Sequence, residues 1–230
     1  METRQTLVRS LFDVFAIWIL ANVGYFTLFP AIGYELDYNG SPISISVYFL
    51  LCAGFCIYYF WPLFKNSLVI NERIRTESII SLGMATFISA LLYGLSHLPT
   101  LSGPANSPYT DILLSTPWYF LPKMAEILLQ QILVAVLVLE LFERLRSLYR
   151  TIIWYSIIFG GGHVLLYAFS DASSQHAAFM TLGALASALA FPYLLIRVRG
   201  GFIYTYTLHV LFYILLAIIL HTWPPPGYAI

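Results

Sequence analysis

Long apolar runs alternate with short polar segments along the whole chain. An apolar run of about 20 residues, at about 1.5 Å rise per residue, crosses the ~30 Å hydrocarbon core of a bilayer as an α-helix. The fourth run is too long for one straight crossing; because it contains Pro117 and Pro122, its first part is expected to be kinked or interfacial. The runs are Leu11–Phe29, Ile43–Phe64, Ser78–Leu98, Ile112–Phe142, Thr151–Phe169, Ala177–Ile196 and Phe202–Leu220. The pattern therefore predicts an all-α, polytopic membrane helical bundle of about seven transmembrane helices.

The composition supports the same class of protein. Of the 230 residues, 60% are hydrophobic and only 10% are charged, whereas a soluble domain carries about 25% charged residues. The formal net charge is zero, so no global field attracts nucleic acid, and the expected partners begin with membrane lipids. Cys52 and Cys56 lie one helical turn apart in an apolar run, which is typical of small buried hydrophobes rather than of a disulfide or metal site. We find no repeat, linker or second domain, and we expect residues 1–230 to form a single integral membrane domain.

The basic residues indicate the orientation of the chain. In a seven-span arrangement, ten of the eleven lie on one side of the membrane. These residues are Arg4, Arg9, Lys65, Arg73, Arg75, Arg144, Arg146, Arg150, Arg197 and Arg199. Because Lys and Arg accumulate in cytoplasmic loops, this distribution predicts a cytoplasmic N-terminus.

Polar side chains inside the apolar runs are the candidates for chemistry, since a charge at the centre of a membrane helix costs about 2.5–3.5 kcal/mol. Lys123, Glu126 and Gln130 follow i, i+3, i+7 spacing and share one face of the fourth run. His163 follows three glycines in the fifth run, and His209 lies in the seventh. Counted at ~1.5 Å per residue, Glu126, His163 and His209 fall near the middle of the membrane. One carboxylate and two imidazoles at one depth can activate water and stabilise an oxyanion.

Each of these features also has a purely structural interpretation. Glu126 can form an ion pair with Lys123 that helps helices to pack. Either imidazole, taken alone, can be a hydrogen-bonded packing residue, and the glycines before His163 can simply allow close helix approach.

The order of the motifs resembles the CPBP family, the group of CAAX prenyl endopeptidases and bacteriocin-processing membrane proteases. Its pattern is Glu-Glu-x-x-x-Arg, then Phe-x-x-x-His, then His-x-x-x-Asn or a small polar residue. Phe159 and His163 match the second motif, and His209 begins the third. The resemblance covers roughly Pro122 to Tyr213, within a catalytic core expected at about residues 112–220.

The first and third motifs depart from this pattern. If Glu126 is the second glutamate, Ala125 replaces the first and Gln130 the arginine; if it is the first, Ile127 replaces the second and Gln131 the arginine. We prefer the second register, because it keeps the carboxylate that the family uses to activate water. Tyr213 stands where asparagine is usual, and its phenol can still donate a hydrogen bond to an oxyanion. These departures indicate a divergent member, or one that has lost activity.

The resemblance implies hydrolysis of a peptide bond within or beside the membrane. Glu126 would be the general base, His163 would help to hold the attacking water, and His209, with Tyr213, would stabilise the oxyanion. A protonated Lys123 nearby would favour the ionised form of this base. Glu126, His163 and His209 would also make a zinc site with one open position, although we expect a metal-free mechanism without a cofactor.

The expected substrate is a membrane-anchored peptide or protein, and a bacterial plasma membrane is the expected location. Two other classes of function stay open. One is a non-catalytic peptide-binding or immunity protein on the same scaffold, which the altered motifs favour. The other is a small proton-coupled transporter that uses Lys123, Glu126 and the histidines as a relay, although no inverted repeat is visible.

Overall fold

The structure, a computed structural model, describes residues 7–34, 36–67, 74–98, 101, 116–168 and 174–224. The described residues form helices joined by short connections, and none of them lies in a β-strand. The predicted all-α class is therefore confirmed. Arg4, Arg73 and the first residues of the expected core, 112–115, lie outside the described residues.

The helices follow the apolar runs closely, with two interruptions by single π-helical turns. The first half of the chain forms α1 (Leu7–Val23), a π turn (Gly24–Leu28), α2 (Phe29–Ala31), α3 (Pro42–Tyr59), α4 (Trp61–Ser67) and α5 (Ile74–Leu95). A 3₁₀ turn (Pro117–Tyr119) then leads into α6 (Phe120–Leu145), α7 (Leu148–Tyr155), a second π turn (Ser156–Gly160), α8 (Gly161–Ala168), α9 (Ser174–Arg197) and α10 (Gly201–Thr222). The 3₁₀ turn begins at Pro117, where the sequence predicts an irregular start to the fourth run.

Five helical segments among the described residues are long and apolar enough to cross a membrane. They are Leu7–Ala31, Pro42–Tyr59, Pro117–Leu145, Ala178–Arg197 and Gly201–Thr222. The chain is therefore an integral membrane protein. The third predicted run coincides with α5, whose described apolar part, Ile80–Leu95, is shorter, and the fifth coincides with α7 and α8. A total of seven spans and a cytoplasmic N-terminus stay predictions.

α6 is the central helix of the bundle. Its apolar window is 67% buried, against 22–39% for the other four spanning segments. Every residue of 131–138 is buried, so α6 is enclosed on all sides. α3 and α1 pack on one side of it, α10 on another, and α7 and α9 near its C-terminal end. A polar face on α6 must therefore find its partners inside the protein.

The turn between α9 and α10 fixes the position of α10. Gly200 adopts a left-handed conformation, with φ of 67°, which favours glycine. A Cβ atom at Gly201 would overlap the backbone carbonyl oxygen of Leu194. The two glycines thus let α10 start directly against the end of α9 and return along it towards α6.

Candidate active site

The polar face predicted on α6 forms a hydrogen-bonded cluster around Glu126. Lys123 Nζ lies 2.8 Å from Glu126 Oε2, and Gln130 Nε2 donates to Glu126 Oε1 at 2.8 Å. These partners stand three and four positions from Glu126, where side chains on one helical face meet. The ion pair expected from the sequence is present.

Tyr38 completes this cluster, and the sequence analysis missed it. It lies in the connection between α2 and α3, and its hydroxyl donates to Glu126 Oε2 at 2.8 Å. Tyr25 and Tyr119 pack against its ring at centroid distances of 5.5 and 5.3 Å. Burial, with the neighbouring carboxylate, raises the pKa of Tyr38 far above its ordinary value, so the phenol stays protonated and can donate. Tyr38 and Glu126 are 88 positions apart in the sequence, and no local sequence pattern predicts a contact over that distance.

Two tyrosine rings lie against the ammonium of the Lys123–Glu126 pair. Lys123 Nζ lies 4.4 Å from the centroid of the Tyr213 ring on α10 and 6.0 Å from that of Tyr38. At these distances an ammonium is attracted to the face of an aromatic ring. The side chains of Lys123 and Glu126 are only 12% and 16% exposed. The pair is therefore held between α6, α10 and the α2–α3 connection.

His209 joins this cluster from α10. Its Nδ1 lies 3.4 Å from Oε1 of Gln131, and its ring stacks on Tyr213, one turn later, at 5.8 Å. Gln131 is fully buried, and within the described part of the chain its Nε2 has no hydrogen-bond partner. The two glutamines that the two registers of the first motif align with arginine thus have different partners: Gln130 binds Glu126, and Gln131 contacts His209.

His163 lies on α8, directly after the second π turn. Its Nδ1 is 2.8 Å from the carbonyl oxygen of Phe159, and the two rings lie 4.6 Å apart. A carbonyl oxygen only accepts, so Nδ1 of His163 carries a proton. The glycine that ends the π turn, Gly160, leaves room for Leu185, because a Cβ there would lie 2.7 Å from a Leu185 methyl group. The turn and this contact set the side of α8 on which His163 stands.

His163 and His209 line a common cavity of about 480 Å³ between α8, α9 and α10. Phe159 and Tyr213 also belong to its wall. On α9 the lining consists largely of small residues, and the lining as a whole is mostly apolar. A cavity of this size and character suits an apolar ligand or a short extended segment of peptide.

The structure brings the predicted residues together in two adjoining groups. Glu126, Lys123 and Gln130 form the cluster with Tyr38, whereas Phe159 and His163 line the cavity. Tyr213 joins the two groups, because its ring lies against Lys123 and lines the cavity. His209, also in the cavity wall, contacts Gln131, and Glu126 is not among the lining residues.

The sequence also left open a zinc site, for which the ligands would have to lie close together. The described residues contain no group of three or more His, Cys, Asp or Glu side chains that could hold a metal ion. A zinc site made by Glu126, His163 and His209 stays a prediction.

Comparison with family models, curated proteins and solved structures gives no match. The resemblance to the CPBP family therefore rests on its motifs alone.

Proposed function

We propose that this protein is an intramembrane endopeptidase of the CPBP type, which hydrolyses a peptide bond in a membrane-anchored peptide or protein of a bacterial plasma membrane. The observation that carries the proposal is the apolar cavity lined by His163, His209 and Tyr213, in which the Tyr213 ring also lies against the ammonium of Lys123, the ion-pair partner of the half-buried Glu126 carboxylate. Apolar walls accept a membrane-embedded segment, and the polar groups supply what peptide hydrolysis requires.

In this mechanism Glu126 is the general base. It takes one proton from a water molecule whose oxygen attacks the substrate carbonyl carbon, and that proton later passes to the leaving amine as the C–N bond breaks. Lys123 pairs with the carboxylate, while Tyr38 and Gln130 hold its orientation. The water lies at the boundary between the cluster and the cavity.

The cavity wall supplies the remaining groups. His163 helps to hold the attacking water, and His209 and Tyr213 border the reacting carbonyl. Hydrogen-bond donors aimed at a developing oxyanion supply a large part of the catalysis in acyl-transfer enzymes. No metal or cofactor takes part.

A second function is favoured by one specific observation. Glu126 already accepts from three donors, Lys123, Tyr38 and Gln130, and it lies outside the cavity wall. A carboxylate satisfied in this way suits a structural role, in which case the cavity would bind a peptide without cleaving it.

Cleavage of membrane-anchored peptides by the full-length protein in liposomes tests the proposal. We expect Glu126→Gln and His163→Ala to abolish cleavage and a zinc chelator to have no effect. His221→Ala is the matched control: His221 also donates from Nδ1 to a carbonyl one turn earlier, that of Ala217 at 2.8 Å, but it does not line the cavity. Circular dichroism of each variant separates lost chemistry from lost folding.

The other outcomes are equally decisive. Cleavage that persists in Glu126→Gln would contradict the glutamate mechanism, and cleavage lost on chelation would restore zinc. Tight peptide binding by the wild type without any turnover would establish the non-catalytic function instead.

A further inference from the structure

The side chain of Gln131 is an unusual feature in the middle of a membrane helix. It is fully buried in α6, yet its Nε2 has no hydrogen-bond partner among the residues that the structure describes. An unsatisfied buried donor costs about 1–3 kcal/mol, and most such atoms in folded proteins find a partner. Its only hydrogen bond among the described residues is made by Oε1, which lies 3.4 Å from Nδ1 of His209.

This contact, with an amide oxygen facing Nδ1 at 3.4 Å, favours one of the two tautomers of His209. A neutral imidazole has one donor nitrogen and one acceptor nitrogen, and the partner of one nitrogen fixes the role of the other. An amide oxygen only accepts, so it requires a proton on Nδ1 of His209 and leaves Nε2 as the acceptor. His163 is in the same state, because the Phe159 carbonyl oxygen faces its Nδ1.

We infer that Gln131 is a positioning residue that holds His209 as the Nδ1–H tautomer, so that Nε2 of His209 accepts a hydrogen bond in the cavity and Tyr213 becomes the oxyanion donor. This inference rests on the proposed peptidase function and changes one expected role within it. A neutral His209 with an acceptor Nε2 has no proton there to give to an oxyanion. The cavity is then bordered by two imidazole acceptors and one phenol donor.

Tyr213 is well placed for the donor role. It is buried, lines the same cavity and lies one helical turn after His209, with the two rings stacked at an interplanar angle of 24°. Lys123 Nζ holds its ring at 4.4 Å. A phenol hydroxyl donates well to an oxyanion, and this tyrosine occupies the position at which the family pattern has an asparagine.

Nitrogen-15 NMR of the full-length, histidine-labelled protein in micelles tests the tautomer directly, above the pH at which the ring is charged. The resonances of His209 are assigned from those that disappear in His209→Ala. We expect a protonated Nδ1 and an unprotonated Nε2 in the wild type and in Gln131→Glu, which keeps an acceptor oxygen. In Gln131→Leu we expect this bias to be lost. The charged and titratable groups that act on His209 are Lys123 and Glu126 on α6 and His163 on α8, with Tyr213 stacked on its own helix. These four are the same in all variants; Gln131→Glu adds one carboxyl group beside Nδ1, so its spectrum is recorded above the pH at which its own His209 ring is charged.

Cleavage kinetics give the second readout. Tyr213→Phe should lower kcat by about 100-fold with little change in KM, as expected for the loss of an oxyanion donor. Gln131→Glu should retain more of kcat than Gln131→Leu.

A proton on Nε2 of His209 in the wild type, or a Gln131→Leu spectrum with the tautomer unchanged, would overturn the inference. Full kcat in Tyr213→Phe would overturn the assignment of the oxyanion donor. Because NMR requires no turnover, a failure of the peptidase proposal leaves the positioning role of Gln131 measurable on its own.

Discussion

The Lys123–Glu126 pair should make a large and measurable contribution to stability, because it is enclosed rather than solvated. The change Glu126→Gln keeps the size of the side chain but removes its charge. The ammonium of Lys123 would then lie between two tyrosine rings, and no other carboxylate among the described residues forms an ion pair with it. Lys123→Met, added to the first change, removes the orphaned cation and leaves an unbranched apolar side chain of similar length.

The structure sets the size of the effect. Removing one partner of a buried ion pair costs about 3–5 kcal/mol. The side chains of Lys123 and Glu126 are 12% and 16% exposed, so some solvation remains, and we expect about 2–4 kcal/mol for Glu126→Gln. Because the double variant no longer has an unpaired charge, its loss should be smaller, and the coupling free energy between the two positions should be about 2 kcal/mol.

Unfolding by a denaturing detergent in mixed micelles, followed by circular dichroism, measures this double-mutant cycle. The matched control is the Glu140–Arg144 pair near the other end of α6, where the nitrogen and oxygen lie 3.2 Å apart and the side chains are 18% and 29% exposed. The variants Glu140→Gln and Arg144→Met should show a smaller coupling of about 0.5 kcal/mol, because Arg144 is more than twice as exposed as Lys123 and its charge is better solvated. Equal coupling in the two cycles would refute the conclusion that Lys123 and Glu126 are enclosed.

Two further substitutions test the supports of the site in the same unfolding assay. Tyr38→Phe keeps the ring but removes the donor to Glu126, and we expect it to cost about 1.5–3 kcal/mol, as for a hydrogen bond to a charged group. Tyr34→Phe, the same change on an exposed side chain, should have almost no effect, and equal effects would argue against the Tyr38 hydrogen bond. Gly201→Ala should largely prevent folding, because its Cβ would overlap a backbone carbonyl oxygen at the end of α9. Gly162→Ala is the control, because a Gly-to-Ala change there meets no neighbouring side chain or segment within 4 Å of the added Cβ, and it should stabilise the protein by at most about 1 kcal/mol. A stable Gly201→Ala variant would contradict the close approach of α9 and α10.

The helices were predictable because a membrane-spanning helix must satisfy its backbone internally and present apolar side chains over its whole length. The predicted run Ile43–Phe64 is observed as α3 and α4, with a break between Tyr59 and Trp61. The π turns were not predictable from hydropathy, because an extra residue in one helical turn changes the direction of later side chains without changing their polarity.

In the candidate site, contacts within one helix could be predicted from the sequence, whereas contacts between helices could not. Spacing along one helix placed Lys123, Glu126 and Gln130 on one face, and the structure confirms that they bond to each other. The membrane depth of each residue, estimated from its position along the helix, was less informative. It gives a height in the membrane but not the rotation of each helix about its axis. That rotation places His163 on the cavity wall and Glu126 in the neighbouring cluster.

Because the helices are rotated in this way, the side chains that lie between the Glu126 cluster and the cavity determine whether the two can act together. Tyr38 covers the Glu126 carboxylate from the α2–α3 connection, and α6 is buried on all sides in its middle. Within the described residues, the Tyr213 ring lies against Lys123 of the cluster, and the His209 ring beside it contacts Gln131 of the same helix as Lys123; both rings line the cavity. A proton or charge that passes from Glu126 to a ligand in the cavity must therefore pass beside these two rings. Substitutions at His209 and Tyr213 should therefore distinguish the two functions proposed for this protein. If the protein is a peptidase, these substitutions should impair turnover far more than peptide binding. If the protein binds peptides without cleaving them, the substitutions should change only the binding affinity.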